Sequence, residues 1–320
     1  MKILSLAHTL LFLAAGFLGA QNPKIEFTEF DLDNGLHVIL HQDNSTPIVA
    51  VSLLYHVGSK NEDPNRTGFA HFFEHLLFEG SENIDRGEFS ELVNGAGGTL
   101  NAYTTFDKTY YHQVLPSNQL ELGLYLESER LLHAKIDSIG IETQRQVVKE
   151  ERRTSYDNRP YGSLLEETMK RSFTVHPYRW TTIGSMDHLN AAEDHEFMDF
   201  YRTFYVPENA VLSIAGDIDI DQTKTLVEKY FSEIPRGTKE IPRPTVVEPP
   251  QTEEVRDLIY DNIQLPAVIQ SYHIPPQGTD DFYAVNMLAQ LLSQGESSRL
   301  SKSVKDEQQK AVYVGAFPLD

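Results

Sequence analysis

A proline-rich stretch divides this chain of 320 residues into two unequal parts. Between Ile234 and Pro250 the sequence contains five prolines, at positions 235, 242, 244, 249 and 250. Because proline fixes its φ angle and donates no backbone hydrogen bond, such a stretch favours a stiff, extended linker. We therefore predict one domain over residues 25–234, a linker over 235–252 and a second, shorter domain over 253–320.

The two parts share an internal repeat. The segments Pro47–His56 (PIVAVSLLYH) and Pro266–His273 (PAVIQSYH) match in residue type and order. After each, the next helical pattern ends in a leucine pair, one further residue, an acid or amide, and a glycine, in Leu76–Gly80 and in Leu291–Gly295. A duplicated domain explains both matches, and a chance similarity between two strand-then-helix pieces is the alternative. Since the second copy is far shorter than the first, we expect it to be incomplete.

The first part mixes strands and helices without strict alternation. Short alternating segments on either side of Asp33-Asn34-Gly35 predict a β-hairpin. Further strands are predicted at 47–57, 99–104, 109–115 and 210–216, and helices at 68–78, 87–93, 118–133, 140–156, after Pro160, 192–204 and 223–231. This order indicates the α+β class rather than a doubly wound parallel sheet. We therefore expect a duplicated mixed α/β domain whose second copy is incomplete.

Composition excludes several classes of function. The chain has 47 acidic and 27 basic residues, a formal net charge of −20, which disfavours a nucleic-acid partner because phosphates would be repelled. It contains no cysteine, so it has no disulfide framework, no thiolate metal site and no cysteine nucleophile.

The N-terminus has the pattern of a secretory signal. Lys2 precedes an apolar run from Ile3 to Leu18, and the run ends in Gly19-Ala20. We predict a signal peptide over residues 1–20 and hence a periplasmic or secreted protein. The alternative is an uncleaved membrane anchor, for which roughly 20 apolar residues would be needed. Because no cysteine follows the run, lipid attachment there is excluded.

The motif His71-Phe-Phe-Glu-His75 lies within the first predicted helix. Positions i, i+3 and i+4 share one helix face, so His71, Glu74 and His75 should point the same way. Neutral imidazoles are good zinc ligands, and a neighbouring carboxylate that does not bind the metal can take a proton from water. This HxxEH order is the inverse of the HExxH zinc-peptidase signature.

Zinc needs a third protein ligand here, and without cysteine it must be His, Asp or Glu. Glu150 and Glu151 lie on a later predicted helix and are candidates. On spacing alone, an acidic pair beside arginines is equally compatible with a solvated helix face.

These features resemble the pitrilysin or insulinase-like zinc peptidases, the inverzincins, which include the processing subunit of mitochondrial processing peptidase. Further segments are similar to that family: Gly97–Thr104 (GGTLNAYT), Asp107–Tyr111 (DKTYY), Tyr205–Ala210 (YVPENA) and Ala215–Asp217 (AGD). The resemblance implies the fold of the mitochondrial-processing-peptidase-like metallohydrolases. It also implies a zinc-dependent endopeptidase that hydrolyses peptides or unfolded segments.

The resemblance further implies a role for each site residue. In the family a ligating glutamate follows the motif by about 76 residues, which selects Glu151. His71, His75 and Glu151 would then bind one zinc ion per chain, and Glu74 would activate zinc-bound water as the general base.

Substrate binding is also implied by the resemblance. The strand that carries Asn101, Ala102 and Tyr103 would be the edge to which an extended peptide adds as an extra strand. Two positions depart from the family pattern: Gln144 stands where many relatives have a glutamate, and Tyr313 lacks the arginine expected seven residues earlier.

In the second copy the three motif positions align with Asn286, Ala289 and Gln290, so this copy should bind no metal. The family combines one active and one inactive half around a chamber, so a homodimer or a second peptidase-family chain is expected to complete it. The alternative function is a non-catalytic or weakly active subunit of a two-chain peptidase. A third function, the S-ribosylhomocysteine lyase with its cysteine ligand, is excluded by the absence of cysteine.

Overall fold

The structure is a computed structural model that describes residues 24–319. The predicted signal peptide, residues 1–20, lies outside the described residues. The described chain forms two compact units, the first made of residues 24–159 and 180–247 and the second of 160–179 and 248–319. The predicted boundaries at 234 and 252 stay predictions.

The first unit contains a six-stranded sheet. Its strands are β1 (Thr28–Asp31), β2 (His37–Gln42), β3 (Ile48–Tyr55), β4 (Thr99–Thr104), β5 (Thr109–Pro116) and β6 (Ala210–Gly216). The spatial order is β1-β2-β6-β3-β5-β4, with β2 and β6 parallel and all other neighbours antiparallel. Strand β4 therefore lies at one edge of the sheet.

Nine α-helices occur in the described residues. They are α1 (Phe69–Leu76), α2 (Glu88–Gly95), α3 (Leu120–Leu132), α4 (Ser138–Arg152), α5 (Leu164–Ser172), α6 (Met186–Ala191), α7 (Asp194–Phe204), α8 (Ile220–Phe231) and α9 (Asp280–Ser293). Helices α5 and α9 belong to the second unit and the others to the first. None of the helices within residues 24–319 has the length and apolar character needed to cross a lipid bilayer.

Side chains that alternate between buried and more exposed along the strands form the core of the first unit. Val49, Val51 and Leu53 of β3 are buried, and so are two alternate residues on each of the next two strands, Leu212 and Ile214 of β6 and Val38 and Leu40 of β2. On β5 the buried side chains of Tyr111 and Gln113 face the helices, since Tyr111 Oη donates to the Phe73 carbonyl of α1 and Gln113 Nε2 to the Gly123 carbonyl of α3. Helices α1 and α3 are thus fixed to the same face of the sheet.

The internal repeat predicts a strand at Pro266–His273, like the one at Pro47–His56. This prediction is wrong, because the segment joins no sheet in the described residues. A strand needs a neighbour for its ladder hydrogen bonds, and this segment instead contacts the end of α5. His273 Nε2 lies 2.6 Å from the Ser172 carbonyl oxygen, and the Ser271 and Ser172 hydroxyls are 2.7 Å apart. The helix expected after this segment is present as α9.

Candidate metal centre

Helix α1 carries the HxxEH motif and is only eight residues long. A helix of this length is marginal by itself, so packing must hold it in place. Phe69 stacks on Phe197 of α7 with ring centroids 4.6 Å apart, and Phe73 stacks on Phe200 at 5.3 Å. These aromatic contacts bury one face of α1 and leave His71 and His75 on another.

Helix α4 brings the third candidate ligand to the same place. Its N-cap is Asp137, whose side chain accepts a hydrogen bond of 2.8 Å from the Gly140 amide. Near its other end, Glu151 Oε2 lies 3.5 Å from His71 Nε2 and 3.3 Å from His75 Nε2. Glu150 instead pairs with Arg153 on the exposed side of the helix. The structure therefore brings Glu151, and not Glu150, to the two histidines.

The three side chains fit a zinc ion. One ligand atom from each lies within 4.8 Å of the other two. The Glu151 Oε2 atom is buried beside both imidazoles without a well-directed hydrogen bond to either, an arrangement suited to ligands that share one cation. Two imidazoles and one carboxylate with an open fourth position are a typical catalytic zinc set.

Protonation also favours metal binding. Burial lowers the pKa of His71 to about 4, so its imidazole is neutral at pH 7 and can offer a lone pair. The adjacent His75, and then His71, hold the pKa of Glu151 below its usual range, so this carboxylate is ionised.

Glu74 lies beside the cluster without belonging to it. Thr104 Oγ1 of β4 donates a hydrogen bond of 2.7 Å to Glu74 Oε2. Burial raises the pKa of Glu74, while the Thr104 hydrogen bond opposes that rise. A carboxylate whose pKa is moved towards neutrality suits a general base.

The residues predicted to bind substrate lie on the edge strand β4. Asn101 and Tyr103 are exposed, and Asn101 Oδ1 accepts a hydrogen bond of 2.9 Å from the Ala102 amide. The Tyr103 ring packs on Tyr110 with centroids 5.1 Å apart. Strand β4 thus has an open edge, and its last residue, Thr104, is the one that donates a hydrogen bond to Glu74. Their role in substrate binding stays a prediction.

The positions that depart from the family pattern have the following surroundings. Gln144, on α4, donates a hydrogen bond of 2.5 Å to Glu79 Oε1, and Glu79 also pairs with Arg86. Tyr313 lies in the second unit, where its side chain is largely exposed.

Two residues at the site escaped the sequence analysis. Thr104 contacts Glu74 although 30 positions separate them, and Glu62 accepts hydrogen bonds from the Gly68 and Ala70 amides at the start of α1. Thr104 belongs to a segment already noted for its family likeness, but nothing in one sequence pairs it with Glu74. Glu62 is one acid in a polar loop and carries no such signal.

Comparison with known proteins identifies the family. Residues 37–184 match the family described as Insulinase (Peptidase family M16), and residues 195–320 match the Peptidase M16 inactive domain. The zinc protease PqqE of Helicobacter pylori is 32% identical over 313 residues, which cover 97% of this chain and 70% of that protein. An uncharacterized zinc protease of Rickettsia bellii is 26% identical over 299 residues, covering 92% of this chain and 70% of that protein.

Solved structures agree with these matches. A protease from Helicobacter pylori superposes with a TM-score of 0.85 at 30% identity, covering 92% of this chain and 72% of that chain. The periplasmic protease PqqL from Escherichia coli gives a TM-score of 0.64 at 25% identity, covering 71% of this chain and 26% of that chain. These findings confirm the expected family and fold class. The chain belongs to the insulinase family of peptidases, family M16.

Proposed function

We propose that this chain is a zinc-dependent endopeptidase that hydrolyses peptides or unfolded segments. The observation that carries the proposal is the convergence of His71, His75 and Glu151, with Glu74 held next to them by Thr104. The names of the relatives, which are zinc proteases, support it. We further propose one zinc ion per chain, since no other such cluster of three His, Asp or Glu side chains occurs in residues 24–319.

The chain's own residues supply the proton transfers. When bound, zinc provides a Lewis acid that polarises the scissile carbonyl and acidifies water. Glu74 takes the proton of the attacking water and returns it to the leaving nitrogen. Because Thr104 donates to Oε2, we assign the proton to Oε1 of Glu74.

The edge strand suits an extended peptide. Within the described residues, strand β4 has a sheet neighbour on one side only, so its other side can pair with the backbone of a substrate at Asn101, Ala102 and Tyr103. Backbone pairing tolerates many side chains, which fits a peptidase for unfolded segments. We place the protein in the periplasm or outside the cell on the signal pattern of residues 1–20.

A partner belongs to the proposal. The second unit carries Asn286 and Gln290 where the motif has its histidines, so it offers no zinc ligands of that kind. A second copy of this chain, or another chain of the family, would complete the chamber around the zinc site.

The test combines zinc content with cleavage of a fluorogenic peptide. Glu151→Ala should lose zinc, and Glu150→Ala, its neighbour, should keep it. Glu74→Gln should retain a full equivalent of zinc and lose at least about 100-fold in kcat, because the amide keeps the shape but cannot accept the proton. A Glu74→Gln variant that cleaves at the wild-type rate, or a Glu151→Ala variant with full zinc, would contradict the proposal.

A further inference from the structure

The start of α1 is held by a side chain that does not belong to the helix. A helix leaves its first amide groups without partners inside it, and the N-cap of α1 is Gly68, which has no side chain to accept them. The carboxyl group of Glu62 does so instead. Its Oε2 atom accepts from the Gly68 amide and its Oε1 atom from the Ala70 amide, each at 2.9 Å. Ala70 immediately precedes the ligand His71.

Glu62 is held there despite an unfavourable environment. Its side chain is buried, with 6% of the residue exposed, and burial raises the pKa of its carboxyl to about 8 against the effect of the helix amides. Burying an ionisable group costs free energy unless hydrogen bonds offset the cost. A serine or aspartate at position 68 could not take over this role, because Gly68 is buried with a φ of +98° and a Cβ atom there would lie 3.0 Å from the Ile183 carbonyl oxygen.

The loop that carries Glu62 is hydrogen-bonded to the turn that directly follows β4. The Ser59 amide donates to the Thr105 carbonyl at 3.2 Å and the Lys60 amide to the Phe106 carbonyl at 2.9 Å. Thr105 directly follows Thr104, which orients Glu74. The loop over residues 59–62 therefore connects the helix that bears the two histidines to the end of the strand that carries Thr104, with Glu62 as its contact to the helix.

We propose that Glu62 is a positioning residue of the metal centre, which sets α1 against the end of β4 so that the ligands and the base keep their relative places. This inference rests on the proposed zinc site. Loss of Glu62 should weaken zinc binding and lower kcat, whereas KM for a peptide bound along the β4 edge should change little.

The test uses Glu62→Gln, with the adjacent Asp63→Asn as the matched control, since Asp63 is exposed and the chemical change is the same. Glutamine presents an NH₂ group to one of the two amides and cannot accept from both. We expect the dissociation constant for zinc, measured by competition with a chromophoric chelator at pH 7, to rise 10- to 100-fold in Glu62→Gln. In Asp63→Asn it should stay within about twofold of wild type. At equal zinc occupancy kcat should fall only in Glu62→Gln.

If Glu62 were only a structural cap, Glu62→Gln would lower the melting temperature of the metal-free protein but leave the zinc dissociation constant and kcat of the folded variant unchanged. That result would overturn the inference.

If Glu62→Gln fails to fold, Glu62→Asp answers the same question, because the shorter side chain cannot reach both amides. If neither variant folds, hydrogen exchange in the wild type decides: zinc should slow exchange at Gly68 and Ala70, and unchanged rates refute the coupling. Wild-type protein that binds no zinc would reject the proposed function itself.

Discussion

Burial shifts the pKa values of the proposed ligand His71 and of the proposed base Glu74 in opposite directions. It lowers the pKa of His71, which keeps the imidazole neutral, and raises the pKa of Glu74, which makes that carboxylate a better proton acceptor. Both shifts have one cause, because burial removes each side chain from water and so disfavours its charged form. The Thr104 hydrogen bond limits the rise at Glu74, so that the base remains ionised over a wider range of pH.

The pH dependence of the reaction should depend on Thr104. Its hydroxyl stabilises the ionised form of Glu74, so Thr104→Val, which removes the hydroxyl with little change of shape, should raise the pKa of Glu74. Since a general base acts when deprotonated, activity is lost as pH falls through this pKa. The acid limb of the kcat–pH profile should therefore move to higher pH, with the plateau at high pH largely retained.

Thr99→Val is the control for this change, because Thr99 lies on the same strand but is exposed and does not contact Glu74 in the described structure. Coincident acid limbs for Thr104→Val and wild type would show that the hydroxyl does not tune the base.

The site residues differ in how far a sequence can reveal them. His71, Glu74 and His75 lie within one turn of one helix, so helical spacing alone places them together. Glu151 comes from another helix, and its identity depended on the spacing known for the family rather than on local pattern. The contacts of Thr104 and Glu62 depend on where β4 and a loop lie relative to α1, which no local pattern records.

Among the elements, α1 also depends on a close backbone approach. Gly184 adopts a φ of +64°, and a Cβ atom there would lie 2.3 Å from the Gly68 nitrogen at the N-cap of α1. The space between these two backbone segments admits only hydrogen. The loop before α6 thus closes on the same end of the helix that Glu62 holds.

We therefore predict that Gly184→Ala lowers the free energy of unfolding by about 2–4 kcal/mol, from backbone strain and from the clash together. Gly87→Ala separates the two causes, because Gly87 also has a positive φ, +81°, but nothing lies within 4 Å of its Cβ position. This control should lose about 1 kcal/mol. Urea unfolding monitored by circular dichroism measures both, and equal losses would show that the contact with Gly68 contributes nothing.

Elements with a local cause were predicted well, and one that needs a distant partner was not. Helix α1 and the strands β4 and β5 lie within two residues of their predicted bounds, since glycines and turn residues mark their ends. The segment Pro266–His273 has the same β-branched pattern as β3 but no strand beside it in the described residues. Strand propensity describes a residue's fit to a sheet and does not supply the neighbouring strand.

At the scale of the whole molecule, the proposed zinc ligands all lie in one of the two units. His71, His75 and Glu151 all belong to the first unit, and so does Trp180, the one tryptophan of the chain. A ligand that binds only the folded state stabilises the part of the molecule that forms its site. The tryptophan therefore reports on the unit that zinc should stabilise.

We predict that zinc raises the thermal midpoint detected by Trp180 fluorescence and leaves a second transition, detected by far-ultraviolet circular dichroism, unchanged. At a free zinc concentration about 1,000 times the dissociation constant the gain is about 4 kcal/mol for the first unit. The second unit contains α5 and α9 but none of the three ligands, so zinc gives it no stability directly.

Glu151→Ala should abolish the fluorescence shift, whereas Glu150→Ala should preserve it, because only Glu151 faces the two histidines. Two compact units need not unfold together, and two-state behaviour often fails when a chain has more than one domain. If both signals instead changed at a single midpoint that zinc raised as a whole, the units would unfold cooperatively. Stability gained at the zinc site would then extend to α9, which has no zinc ligand of its own.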